Sequence, residues 1–237
     1  NMTMAYSLNH PGAKVYPEDI KFVTAKKIKN DLGIDSGEID LVIGGPPCQA
    51  YSTVGKRLID DPRGKLFQEY YRVLKEINPK LFIFENVKGL LSMQKGELLR
   101  MIIGLFESLG YFVQYKVLNA ADFGAPQIRE RVIIVGSRLS KKFDYPLPSH
   151  SNQSKKQPNL FTQMKPYLTL GEAISDLPFI GVGEESFEYA SEPKNDFQKL
   201  MRKNALGKLM DHSAPKNSEK LVQIMKNLPE GGSPEDL

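Results

Sequence analysis

Three stretches of the sequence hold side chains whose types and setting suit covalent or proton-transfer chemistry. Cys48 lies in Gly44-Gly45-Pro46-Pro47-Cys48-Gln49, directly after a short β-branched apolar run, where glycines permit unusual backbone angles and prolines freeze the rest of the loop. Such a loop presents a thiolate without the entropic cost of ordering it. A free cysteine is most often a small buried hydrophobe, but the polar, proline-rich flanks here point to presentation. Glu85 closes a second apolar run, Leu81-Phe82-Ile83-Phe84. A partly desolvated carboxylate at such a mouth could share a proton with a ring nitrogen, and the alternative is an ordinary solvated strand end. In Gln127-Ile128-Arg129-Glu130-Arg131 the two arginines stand two apart before a third apolar run, which points both side chains to one face. A pair of guanidiniums can hold a phosphate, a base carbonyl or a structural carboxylate. His10, His150 and His212 fall in no motif with Cys48, so no cysteine-hydrolase pairing is legible.

The elements that must position these residues follow from hydrophobic periodicity. Asp40-Leu41-Val42-Ile43-Gly44-Gly45 reads as a buried strand ending at a tight loop, and Leu81-Phe82-Ile83-Phe84 as a second, ending at Glu85-Asn86. Between them Leu66, Tyr70, Val73, Leu74 and Ile77 recur at three- and four-residue steps and predict one face of a crossover helix. Strand, helix, strand is a right-handed βαβ unit, which puts Cys48 and Glu85 on adjacent strand exits. Leu98, Ile102, Leu105 and Leu109 predict a second helix, with strands expected at 111–118 and 132–135. The alternation predicts an α/β fold with a doubly wound, mostly parallel sheet, whose function collects at the carboxyl ends of the strands. From Asp144 to Pro166 the composition turns to Pro, Ser, Asn, Gln and Lys, as in a linker, followed by helices expected around 170–177 and 218–227.

The chain's 237 residues suffice for one α/β domain and part of a second. One cysteine and three histidines exclude an internal disulfide framework and argue against a zinc site, so no metal is expected and a reducing, intracellular setting fits. No apolar run approaches the ~20 residues that span a bilayer. A net charge of +4 suits a polyanionic partner without demanding one.

The three stretches, read together, resemble a known family. Gly44-Gly45-Pro46-Pro47-Cys48-Gln49-Ala50-Tyr51-Ser52, Phe84-Glu85-Asn86-Val87 and Gly124-Ala125-Pro126-Gln127-Ile128-Arg129-Glu130-Arg131 are similar, in order and spacing, to signature blocks of the DNA cytosine-5 methyltransferases of bacterial modification systems. Asp61-Pro62-Arg63 and Leu66 add to the match. The resemblance implies a Rossmann-like methyltransferase fold using S-adenosyl-L-methionine. It implies that Cys48 adds to cytosine C6, Glu85 contacts N3 and the exocyclic amine, Arg131 reaches the base carbonyl, and Asn86 fixes the cysteine loop. Gln49, Ser52, Gln127 and Arg129 would face double-stranded DNA around a flipped nucleotide. Asp19, Ile20, Pro47 and Leu66 would line the cofactor site.

The resemblance further implies a catalytic domain over residues 1–148, lacking its N-terminal cofactor loop, with 149–237 forming a linker and the start of a target-recognition region. Thr169 to Pro178 and Asp211-His212-Ser213-Ala214 match segments that precede that region, with His212 in a structural role. The Phe-x-Gly-x-Gly cofactor loop and the closing Gly-Asn-x-Val segment have no counterpart among these residues, as in a fragment or one subunit of a split enzyme. A bacterial cytoplasmic enzyme acting at the nucleoid, with a restriction endonuclease as one partner it allows, is the expected setting. A transfer-RNA cytosine methyltransferase and a catalytically silent DNA-binding subunit are the alternatives.

Overall fold

The computed structural model describes residues 2–35, 37–47, 65–139, 142–152, 164–205, 207–229 and 232–233. They form two compact units, one of residues 1–123 with 128–149 and one of 124–127 with 150–237.

The first unit opens with helices α1 (Met2–Asn9) and α2 (Ala25–Leu32), neither of which hydrophobic periodicity had disclosed. Thr24 caps α2, its hydroxyl accepting from the Lys27 amide, and Gly33 ends it at φ +65°, a left-handed angle suited to glycine. Strand β1 (Leu41–Gly44), helix α3 (Lys65–Ile77), strand β2 (Leu81–Val87), helix α4 (Glu97–Ser108), strand β3 (Phe112–Asn119) and strand β4 (Glu130–Ser137) follow.

The sheet order is β1-β2-β4-β3. β1 and β2 are parallel, Gly44 lying opposite Phe84, while β4 runs antiparallel to both β2 and β3. Three of the four strands therefore share a direction, as expected of a mostly parallel α/β sheet. Strand spacing alone did not disclose that the reversed strand is inserted between the second and third.

Burial alternates along β2: Phe82, Phe84 and Asn86 are buried, and Leu81, Ile83 and Glu85 take the opposite face. Phe82 and Phe84 pack against Tyr70 of α3 and Phe106 of α4 with ring centroids 4.6–6.3 Å apart, mostly tilted or edge-on. Leu74, Leu98, Ile102, Val132 and Ile134 complete this core. The predicted single face of α3 resolves into two. Phe67, Tyr70, Leu74 and Ile77 enter the core, whereas Leu66 and Val73 turn with Tyr70 toward a cleft. In α4 the buried face is Leu98, Leu99, Ile102 and Phe106, and Leu109 lies one residue past the helix.

The second unit holds the paired two-residue strands β5 (His150–Ser151) and β6 (Lys165–Pro166) and helices α5 (Leu170–Ile174), α6 (Asp196–Arg202) and α7 (Glu219–Asn227). A capping box joins Thr169 and Glu172 at the start of α5. Asp176 is buried and paired with Arg202, whose guanidinium also donates to Ser191 O at 2.8 Å and stacks 3.5 Å from the Tyr189 ring centroid. Buried Gln198 donates to the Glu172 carbonyl at 2.8 Å and accepts from the Lys194 amide at 2.6 Å. α6 was not anticipated, because its buried positions are filled by these satisfied polar groups rather than by an apolar stripe. No helix among the described residues is long and apolar enough to cross a membrane.

Candidate active site

At the carboxyl end of β1 a cleft of about 370 Å³ is walled by Ile20, Gly44 to Pro47, Leu66, Tyr70 and Val73. Its two sides come from distant parts of the chain. β1 and the Gly-Gly-Pro-Pro turn form one, and α3 with the turn at Ile20 forms the other. Three residues read from the sequence as cofactor neighbours, Ile20, Pro47 and Leu66, line this one cleft.

Asp19 caps a three-residue 3-10 turn over Ile20–Phe22. Its carboxylate accepts from the Lys21 amide at 3.1 Å and pairs with the Lys21 ammonium at 3.3 Å. The hydrogen bond from the Lys21 amide is the chief cause that holds its carboxyl below the usual carboxylate range, so at neutral pH Asp19 is an ionised acceptor at the surface. An aliphatic cleft with a carboxylate on its Ile20 turn fits a nucleoside-bearing cofactor such as S-adenosylmethionine: apolar walls for a ring and an acceptor for an exocyclic amine.

The glycines of the turn are required for space rather than for backbone angle. A Cβ on Gly44 would lie 2.5 Å from the Tyr70 ring, and one on Gly45 would lie 2.9 Å from Glu85 Oε2. Neither glycine is among those at positive φ, which corrects the expectation of unusual backbone angles. Tyr70 is itself fixed, its hydroxyl donating to the Ile83 carbonyl at 2.9 Å.

Glu85 is not at a strand end as expected, because β2 continues to Val87. Its cross-strand partner is Ile133, so Arg131, two residues earlier on the antiparallel strand, is its diagonal neighbour on the same face. Arg131 Nε donates to Glu85 Oε1 at 2.8 Å in a charge-assisted bond, and its Nη1 donates to the Glu130 carbonyl at 2.9 Å. Both side chains keep partial exposure, 39% for Glu85 and 23% for Arg131. The second carboxylate oxygen faces Gly45. Lys88 reaches Glu130 at 2.7 Å alongside.

Asn86 points to the opposite face and is buried at 3% exposure. Its Nδ2 donates to the Pro46 carbonyl at 3.2 Å and its Oδ1 accepts from the Val87 amide at 2.9 Å. One dipeptide of β2 thus serves two ends: Asn86 ties down the turn that leads to Cys48, and Glu85 meets Arg131.

Cys48, Gln49 and Ser52, together with Asp61-Pro62-Arg63, lie outside the described residues. Arg129 is exposed; its amide donates to Asn119 Oδ1 at 2.9 Å and its carbonyl accepts from the Ala120 amide at 3.0 Å, so the backbone feeding β4 is pinned. Gln127 is exposed and belongs to the second unit. His212, also in that unit, donates from Nε2 to the Pro178 carbonyl at 2.9 Å. Sequence reasoning passed over Tyr70 and Val73 as cleft walls and Arg72 as a neighbour of the Ile20 turn. The only signal for Tyr70 and Val73 was the double periodicity of α3, in which 66, 70 and 73 make a second stripe, and Arg72 had none.

The described residues thus give an α/β unit with a proline-rich turn after β1, a Glu85–Arg131 pair whose carboxylate faces Gly45 of that turn, and an apolar cleft on the same strand exit. Comparison with known proteins gives the class. The model of the C-5 cytosine-specific DNA methylase family matches residues 1–228, and the chain belongs to this family. It is 41% identical to the type II methyltransferase M.AgeI of Thalassovita gelatinovora over 222 residues, covering 88% of this chain and 52% of that protein. Identity to M.AquIA of Picosynechococcus is 47% over 182 residues, 72% of this chain and 73% of that protein. M.DdeI of Desulfomicrobium norvegicum is 38% identical over 225 residues, with 93% of this chain and 51% of that protein covered. The chain therefore spans about half the length of M.AgeI and of M.DdeI. Among solved structures, a protein described as a DNA modification methyltransferase encoded within an E. coli prophage superposes with a TM-score of 0.60 at 27% identity, covering 83% of this chain and 53% of that one.

Proposed function

We propose that the protein containing this chain transfers a methyl group to C5 of cytosine in double-stranded DNA, with Cys48 as the nucleophile. The observation that carries the reading is the Glu85–Arg131 pair, held on the face of β2 opposite Asn86, with Asn86 anchored to the turn that runs into Cys48. Family membership and the relatives named above support it.

Addition of the Cys48 thiolate to C6 makes C5 an enamine carbon that can accept a methyl group. Loss of the C5 proton and departure of Cys48 then restore the aromatic ring. Glu85 contacts N3 and the exocyclic amine, meeting the charge that builds on the ring during attack, and Arg131 donates to O2. The pair binds and orients the base only outside the duplex, which requires the nucleotide to be flipped out at a cost of a few kcal/mol. Gln49, Ser52, Gln127 and Arg129 are the proposed contacts holding that state. S-adenosylmethionine, when bound, supplies the methyl group, and Asp19, Ile20, Pro47 and Leu66 are the residues proposed to hold it. The proposed catalytic unit is residues 1–148, with 149–237 leading into target recognition. A cognate endonuclease and action on the bacterial nucleoid belong to the same reading.

The test is methyl transfer from labelled S-adenosylmethionine by the intact protein to a mixed-sequence duplex DNA pool and, in parallel, to transfer RNA, followed by mass analysis of nucleosides. Label appearing as 5-methyl-2′-deoxycytidine supports the reading. Label confined to RNA replaces it with the transfer-RNA activity, and no label in either replaces it with a silent DNA-binding subunit.

A further inference from the structure

We propose that Arg72 is a positioning residue for the cofactor cleft: it clamps the Asp19–Ile20 turn onto α3 and so fixes the wall that Ile20 and Val73 share. The inference rests on the reading of that cleft as the S-adenosylmethionine site.

Arg72 spends its fork on two sets of acceptors. Nε donates to Glu69 Oε2 at 2.6 Å and Nη1 to Glu76 Oε2 at 3.0 Å, one carboxylate a turn before and one a turn after it on α3. Nη2 donates to the carbonyls of Ile20 at 3.0 Å and Val23 at 3.1 Å, about fifty residues earlier in the chain. Ion pairs within one helix contribute little by themselves; here they aim a planar, rigid fork at two backbone carbonyls. Glu76 extends the same tie. Its Oε2 accepts from the Ala25 amide at 3.2 Å, and Lys29 donates to its backbone carbonyl at 3.1 Å.

The segment being held cannot hold itself. The turn over Ile20–Phe22 is a single 3-10 turn, and such short elements depend on tertiary partners. Its own closing bond, from the Val23 amide to the Ile20 carbonyl at 3.0 Å, uses one of the carbonyls that Arg72 also binds. Arg72 therefore fixes the carbonyls on either side of Phe22, and with them the direction of Ile20 and the cap at Asp19. Val73, the next residue on α3, lines the same side of the cleft as Ile20. A change at Arg72 thus reaches the cofactor without touching it.

A lysine at this position keeps the charge but presents a point donor that cannot serve carboxylates and carbonyls in one plane. That difference separates positioning from charge.

The test measures S-adenosylmethionine affinity of the intact protein by calorimetry and backbone exchange by mass spectrometry, in wild type, Arg72→Ala, Arg72→Lys and Glu69→Gln, with Lys75→Ala on the same helix as control. Arg72→Ala is expected to weaken the cofactor about tenfold, to speed exchange of the amides of residues 20–25 but not of β2, and to leave DNA affinity unchanged. Arg72→Lys recovers little of the affinity, and Lys75→Ala behaves as wild type. Should Arg72→Ala fail to fold, Glu69→Gln, which only loosens the aim of the fork, is expected to weaken cofactor binding about two- to threefold. A folded Arg72→Ala protein whose cofactor affinity lies within twofold of wild type overturns the proposal. So does parallel loss of cofactor and DNA binding with globally faster exchange, which is the mark of a merely structural arginine. Wild-type protein that binds no S-adenosylmethionine overturns the cleft's assignment instead, and is recognised before any variant is compared.

Discussion

Gly44 and Gly45 are adjacent, yet adding one methyl group to each should damage different things. A Cβ on Gly44 meets Tyr70 Cε2 at 2.5 Å and Cδ2 at 2.7 Å, closer than real Cβ contacts come. The ring cannot yield. It is 7% exposed, it is wedged among Phe82, Phe84 and Phe106, and its hydroxyl is tied to the Ile83 carbonyl. Overpacking of this kind costs about 1–3 kcal/mol, and about 2 kcal/mol lowers the melting temperature of a chain this size by roughly 4–8 °C. A Cβ on Gly45 meets Glu85 Oε2 at 2.9 Å, the far end of a flexible and partly exposed side chain. The carboxylate can swing away and loosen its 2.8 Å bond to Arg131, which costs the fold at most about 1 kcal/mol. Displacement of the groups that meet the base, however, should reduce turnover by about 100-fold. Chemical denaturation and single-turnover methyl transfer on Gly44→Ala and Gly45→Ala measure the two effects. A Gly45→Ala protein that is as destabilised as Gly44→Ala, or that turns over at the wild-type rate, would refute the reasoning.

Other outcomes follow from the same geometry. Asn86→Ala removes the tie to the Pro46 carbonyl and leaves buried groups unpaired, so it should cost about 1–3 kcal/mol in urea unfolding and lower kcat more than cofactor affinity. Arg202→Ala strands the buried Asp176 carboxylate in the second unit and should cost about 3–5 kcal/mol, with Asp176→Asn added to it recovering part of the loss, as read by limited proteolysis of residues 164–229. Asp19 is held below the usual carboxylate range, so what its ionised form contributes is present throughout neutral pH and is lost only as pH falls through that depressed value. Cofactor affinity measured by calorimetry should therefore be flat from about pH 8 to pH 5 as far as Asp19 is concerned. A fall between pH 7 and 6 in wild type that is absent in Asp19→Asn would contradict this.

How much of this was legible in the sequence depends on the range of the forces involved. β1, α3, β2 and α4 follow from local apolar periodicity, and so does the adjacency of the Gly-Gly-Pro-Pro turn to Glu85, because a βαβ unit permits few arrangements. The Glu85–Arg131 pair did not follow. It depends on β4 running antiparallel between β2 and β3, a long-range choice that strand composition does not encode. The glycine pair was recognised, but for the wrong reason: its need is set by Tyr70 and Glu85 packing over it, which no local pattern reveals. Arg72 drew no reading from the sequence, since its backbone acceptors at Ile20 and Val23 carry no side-chain signal. α1 and α6 escaped for opposite reasons. Met4, Tyr6 and Leu8 of α1 are exposed and make no inward stripe, while α6 buries Gln198 and pairs Arg202 instead of burying an apolar face.

The proposed reaction requires Cys48 to bond covalently to the cytosine ring. Duplex oligonucleotides carrying 5-fluorocytosine, incubated with the intact protein and S-adenosylmethionine, test it most directly, because fluorine at C5 blocks the proton loss that would release the enzyme. A denaturation-resistant protein–DNA adduct that forms with wild type and is absent in Cys48→Ser is the predicted result. Methylation of ordinary cytosine DNA without any trapped adduct, or an adduct that survives in Cys48→Ser, would contradict the account.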